Sequence, residues 1–247
     1  MRPLYVKGRG DGRWRAKDGS LVYERPGQAA VRFPLERVSR VVVRGRAGWG
    51  EEVLRACAAG GVVVALLDAD GNPEGFLLPW RKKQLKPGQM LEEFLHRRDW
   101  QWRFENWRRS EERRAIFKVL PAARQHAPLR APDRARQALE AWVGDRRGVA
   151  LIEKWKPLLA AVVHSKLCEE GLSPAAPGGK KGALDLAGVF CHLLGWHHYR
   201  HAKDCCVAPE AWFEEVSAYE RIRERDEQRA VAMCRRFVAW LGEQEWE

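Results

Sequence analysis

The chain has 247 residues, 45% of them hydrophobic and 31% charged, which is enough to build a buried core and excludes collagen, coiled-coil arrays and disordered tails. Its longest apolar run, GVVVALL at residues 61–67, falls far short of the ~18 to 20 residues of a membrane span, and the start MRPLYVKGRG has no apolar signal-peptide core, so a cytoplasmic location is expected. A net charge of +11 favours a polyanionic partner, and six scattered cysteines (Cys57, Cys168, Cys191, Cys205, Cys206 and Cys234) read as thiols in a reducing compartment.

In chain order, short apolar runs at 3–7, 21–24, 29–35, 38–44, 61–68 and 75–80 predict strands separated by Gly-rich breaks. Asp18-Gly19 and Asp70-Gly71 are hairpin-type dipeptides, the second linking the last two strands. Between strands, GEEVLRACAA at 50–59 places Val53, Leu54 and Cys57 at helical spacing. From residue 87 the periodicity turns helical: Met90, Leu91, Phe94 and Leu95, then segments 110–121, 133–143, 149–169, 183–196 and 209–243. Prolines and glycines make loops of 121–132 and 171–182. The expected fold class is α+β: a small β-rich amino-terminal domain over 1–80, a linker at 81–86, and an all-helical domain over 87–247.

The charge is uneven. Residues 1–80 hold 13 Lys and Arg against 9 Asp and Glu, residues 81–150 hold 18 against 9, and residues 151–247 hold 13 against 15. The excess lies in the middle, where Trp100, Trp102, Phe104 and Trp107 alternate with Arg97, Arg98, Arg103, Arg108 and Arg109, followed by Arg113 and Arg114. Arginines at such spacing pair with phosphates while rings stack or pack, so these seven arginines are the candidate DNA surface; a helix with a tryptophan core stripe and a solvated basic face is the plainer reading. Lys180 and Lys181, in the Gly-rich loop, are further candidates for phosphate contact, although the spacing is not that of a P-loop.

PLYVKGRGDGRW, FPLERVSRVVVRG, CAAGGVVVALLDADGNPEGFLLP, and GLSP followed by ALDLA resemble the CRISPR-associated (Cas) adaptation integrase/endonuclease family, the family numbered one among the Cas proteins, which inserts new spacers into CRISPR arrays. The resemblance implies a β domain and a helical catalytic domain, a homodimer, double-stranded DNA as substrate, a small ferredoxin-like CRISPR-associated partner, and a Glu, a His and an Asp holding Mg²⁺ or Mn²⁺ for cleavage and strand transfer. Carried over by motif, Leu139-Glu140-Ala141 makes Glu140 the glutamate, and Gly171-Leu172-Ser173-Pro174 with Ala183-Leu184-Asp185-Leu186 makes Asp185 the aspartate. The loop AAPGGKKG at 175–182 holds no histidine, and Gly188 and Phe190-Cys191 stand where the family usually carries a glutamate and an FR pair.

A hard divalent cation in phosphodiester chemistry needs carboxylate oxygens and open positions. Glu140 and Asp185 supply two ligands, and the third falls to His164 on the preceding helix or His192, ~10.5 Å of helical rise beyond Asp185. Three readings follow: a DNA-binding protein of spacer acquisition with an incomplete site, an active miniature integrase with a substitute histidine, or an architectural or regulatory DNA-binding subunit. The same residues have structural readings, Glu140 as a solvated helix residue and Asp185 as a helix cap. Separately, Cys191, His192, His197, His198, His201, Cys205 and Cys206 crowd 16 positions, with His197, His201 and Cys205 on one face if helical; the spacing is no familiar zinc signature, and core or polar surface histidines are expected instead.

Overall fold

Valine-rich runs become central strands where both faces are covered. In the computed structural model, which describes residues 2–8, 12–79, 86–144, 146–176, 184–204 and 212–244, β1 (Arg2–Lys7), β5 (Val38–Arg44), β6 (Val63–Leu67) and β7 (Pro73–Leu77) form a sheet in the order β1-β5-β6-β7. Neighbours β1 and β5, and β5 and β6, run parallel, and β6 and β7 run antiparallel. Val41, Val42, Val63 and Val64 are almost fully buried, as the two middle strands of such a sheet require. The crossover from β5 to β6 is carried by α1 (Glu51–Ala59), whose buried residues are Val53 and Cys57.

A second sheet is the meander β2 (Arg13–Lys17), β3 (Ser20–Glu24) and β4 (Val31–Pro34). Asp18 and Gly19 close its first hairpin with φ of 49° and 67°, the pair of positive values that a two-residue turn of this hand demands. The first strand of that hairpin is not among those expected. RWRAK points Trp14 alone into the core and leaves Arg13, Arg15 and Lys17 less covered, so one apolar residue carries the whole alternation signal. Trp14 packs on Tyr23, Phe33 and Trp49 with centroids 4.8, 5.8 and 5.9 Å away. The expected strand at 29–35 shortens to β4, and Leu35–Arg37 form a 3-10 turn.

The chain divides into two compact units, Met1–Gln84 and Leu85–Glu247. The second holds α2 (Lys86–His96), α3 (Trp100–Val119), α4 (Pro132–Val143), α5 (Arg146–Glu169), α6 (Leu186–Gly195), α7 (His198–Asp204) and α8 (Trp212–Gly242). A short ladder of β8 (Ala175–Ala176) with β9 (Leu184–Asp185) makes it not wholly helical. Helix α5 is its centre: Trp155, Leu159, Ala161, Val162, Val163 and Leu167 are fully buried, and α6, α7 and α8 pack around it.

Helix α3 starts at Trp100, ten residues before the expected segment. Trp100, Phe104, Trp107, Glu111, Ala115 and Val119 recur on one buried face, and a helix is the conformation that brings this spacing together. Trp107 meets Phe237 at 4.9 Å, Trp240 at 5.8 Å and Phe190 at 6.0 Å between centroids, so the aromatic residues of the basic stretch tie α3 to α6 and α8. Among the described residues no helix is long and apolar enough to cross a membrane.

Candidate functional site

Asp185 ends β9 and caps α6. Its Oδ1 accepts the backbone N–H of Gly188 at 2.8 Å, satisfying one of the donors that the first turn of a helix leaves open. Two groups feel its charge. His164 on α5 donates from Nδ1 to the carbonyl of Ala160 at 2.8 Å; burial lowers its pKa, against smaller raising contributions from that hydrogen bond and from Asp185. The Cys191 thiol is pushed up to about 12 by burial and then by Asp185. Of the two histidines considered for the third ligand, His164 is the one on which the charge of Asp185 acts.

Glu140 has other neighbours. It lies on α4, half-buried, and accepts the Tyr199 hydroxyl of α7 at 3.5 Å. Burial first, and then the charge of Glu140, raise the Tyr199 phenol to about 12. Among the described residues no group of three or more His, Cys, Asp or Glu side chains could hold a metal ion. Glu140 is engaged with α7, while Asp185 turns back on its own helix.

His192 is taken up elsewhere. Its Nε2 donates to Oε1 of Glu112 on α3 at 2.6 Å, and Arg108 approaches the other oxygen of Glu112 at 3.3 Å. The hydrogen bond from His192 holds the nearly buried Glu112 carboxyl below the usual range, outweighing the opposing effect of burial. Next to it, buried Glu111 accepts from Arg236 of α8 at 2.9 Å and from Arg114. Neither glutamate stands out in the sequence, because RRSEERR reads as a solvated charge run. The available signal is their phase: each lies four residues before a buried apolar residue, Ala115 or Ile116.

The histidine cluster is a buried polar junction. His198 and Asp226, both fully buried, are bonded at 2.8 Å, Arg229 reaches the other oxygen of Asp226 at 3.3 Å, and Trp155 packs edge-on against the imidazole. Burial, then Arg229, lower His197 to about 3, and burial also lowers His201. Cys205 and Cys206, like Lys180 and Lys181, lie outside the described residues.

The candidate DNA surface divides in two. Arg97 and Arg103 pair with Asp99, Arg103 also with Gln244, Arg108 and Arg109 with Glu105, Arg108 with Glu112, and Arg114 with Glu111. Arg98 and Arg113 are exposed. Trp100, Phe104 and Trp107 are buried and form core, whereas Trp102 is 68% exposed.

Residues 4–108 match the family described as CRISPR associated protein Cas1. No curated protein matches the chain. Among solved structures it is similar to a CAS1 protein from Thermotoga maritima, with a TM-score of 0.78 at 14% identity over 100% of this chain and 99% of that one. A TtCas1–DNA complex gives a TM-score of 0.62 at 14% identity over 94% and 89% of the two chains. A casposase bound to integration product gives 0.56 at 13% identity over 83% and 72%. The resemblance to the integrase family is borne out to this extent: residues 4–108 match the family in sequence, and the fold of the whole chain is similar to that of a Cas1 protein.

Proposed function

We propose that this chain is a DNA-binding protein of CRISPR adaptation, with the fold of the integrase and little or no metal-dependent cleavage or joining of its own. The observation that carries the reading is the likeness of nearly the whole chain to a Cas1 chain bound to DNA. The basic middle of the sequence agrees with it, since Arg and Lys supply the phosphate contacts of duplex binding.

Among the described residues no three carboxylate, imidazole or thiol donors are gathered where they could hold Mg²⁺ or Mn²⁺. A divalent ion held by fewer fixed donors is loosely placed, and in-line displacement at phosphorus suffers heavily from a small misplacement. Asp185 and Glu140 instead serve packing roles, one capping α6 and the other meeting Tyr199. The partners follow from the family: double-stranded DNA, a second copy of the chain, and a small ferredoxin-like CRISPR-associated protein. The rival reading is an active miniature integrase in which His164, on which the charge of Asp185 acts, completes the ligand set.

Incubating the full chain with duplex DNA in Mn²⁺ and in Mg²⁺ separates the two. Binding in gel shift, with no more cleavage or strand transfer than in chelator, is expected. Robust Mn²⁺-dependent product that disappears in Asp185→Ala, with or without Glu140→Ala, would establish the active reading instead.

A further inference from the structure

An open groove of about 660 Å³ runs along α8 with its charges sorted by sign. Glu224 and Glu227 line one end, Arg235, Arg236 and Lys166 of α5 the other, and Val231 lies between them. Some of these charges are already engaged: Arg223 holds Glu227, Glu111 holds Arg236, and Glu169 holds Lys166. Glu224 and Arg235 are exposed and have no ion-pair partner among the described residues. Two ordinary reasons for such charges fail here. The helix macrodipole acts within the first and last turns, whereas both residues sit in the interior of α8. An ion pair within the helix needs an acid three or four residues from Arg235, and those positions hold Val231, Ala232, Val238 and Ala239.

From Glu224 to Arg235 is three helical turns, ~16 Å at 1.5 Å per residue, so the two share one face of α8. A face that is acidic at one end and basic at the other is its own complement when a second copy lies antiparallel on it, and a twofold axis makes both ends match at once. We propose that two copies of the chain pair α8 against α8, antiparallel about an axis that passes midway between Arg229 and Ala230, with Glu224 of each meeting Arg235 of the partner subunit. In this register Gln228 faces Val231 of the partner subunit, and the end that holds Glu227 lies over the end that holds Arg236 and Lys166. A parallel pairing would set Glu224 on Glu224 and Arg235 on Arg235, and like charges brought together are repelled, so the orientation is fixed. The contact is short and polar, which makes it a weak association that salt weakens further. It belongs to the helical unit and does not depend on the DNA-binding reading above.

The test is sedimentation equilibrium of the full chain without DNA, at low and high salt, on charge-reversed variants. Glu224→Arg and Arg235→Glu, each alone, oppose like charges at both ends and should weaken this twofold step of association by about tenfold or more. An equimolar mixture of the two variants restores both ion pairs across the axis and should associate as the wild-type chain does, and so should the double variant carrying both changes. A covalent readout locates the contact. In Arg235→Lys, a zero-length carbodiimide should join Glu224 to the new lysine, a bond that three turns of rigid helix forbid within one chain, so the product runs as a dimer in denaturing gels and its peptides are identified by mass. Single reversals that leave association unchanged overturn the pairing, because copies that still meet then meet elsewhere. A mixture that fails to recover, a wild-type chain that stays monomeric at the highest concentration, or the absence of the Glu224 cross-link also overturns it, and none of these outcomes touches DNA binding.

Discussion

The carboxylate of Asp185 lies back over Gly188: Oδ1 accepts the Gly188 N–H at 2.8 Å, and a Cβ built at residue 188 would stand 2.1 Å from Oδ2. The cap in this form requires glycine there. Any residue larger than glycine would push the carboxylate outward.

Asp185 is therefore expected to act on stability through the cap. Asp185→Ala should cost about 1 kcal/mol in urea unfolding, and Asp185→Asn much less, since an amide oxygen caps almost as well. Gly188→Ala should come out close to neutral, because disruption of the cap is offset by about 1 kcal/mol of helix propensity. A Gly188→Ala protein destabilised as much as a core mutant would show that the conformation at this turn, and not the cap, is what matters.

The bond between His192 and Glu112 gives a pH dependence with a defined sign. The folded carboxyl of Glu112 sits below its unfolded value, so its contribution is present above the ordinary carboxylate range and disappears as pH falls through the folded value. Replacing Glu112 with Gln should cost about 2 kcal/mol near neutral pH, in line with a hydrogen bond to a charged group, and progressively less below about pH 4. Equal costs at pH 7 and pH 3 would mean that the charge of Glu112 contributes nothing.

Much of this is legible in the residues, and what is not has physical causes. The two-part architecture follows from the change of hydrophobic period near residue 87, and β5, β6 and α1 from dense apolar runs. Strand β2 carries one buried side chain, so its alternation is almost silent. The start of α3 is hidden because three tryptophans and a phenylalanine among arginines suit a binding face as well as a core, and only tertiary packing distinguishes Trp102 from Trp107. Asp185 as a helix cap is one of the alternatives open in the sequence. The Glu112–His192 pair is not, since 80 residues separate its members and nothing local marks either.

The histidines near α7 should make the protein sensitive to mild acid. His197 is lowered to about 3, and His164 and His201 are lowered as well, all first by burial. Each is neutral in the fold and more readily protonated when unfolded, so the unfolded state binds more protons below about pH 6.5 and stability falls from there towards pH 3. The midpoint of urea unfolding should drop steadily between pH 7 and pH 5, where few carboxylates titrate. A His197→Gln chain should show a shallower drop. An unchanged slope would place the acid sensitivity in carboxylates such as Glu112.

The arginines of the basic stretch should separate into two classes by salt dependence. Arg108 is held by Glu105 and Glu112 and Arg103 by Asp99 and Gln244, so their charge is largely spent within the helical unit. Arg113 is exposed and has no acidic partner among the described residues, while Arg109, 67% exposed at its side chain, keeps most of its surface open to a phosphate although Glu105 touches it. Arg113→Gln with Arg109→Gln should flatten the dependence of log affinity on log salt by roughly 0.9 for each phosphate of B-DNA left without its arginine, with little change in unfolding. Arg108→Gln should do the reverse, lowering stability by about 1 kcal/mol and leaving the salt slope alone. Binding curves at several salt concentrations, with urea unfolding of the same proteins, read both quantities. If Arg108→Gln flattened the slope as much as the exposed pair, the ion pairs of α3 would have to open when DNA binds, and burial in the free protein would no longer mark which arginines meet phosphate.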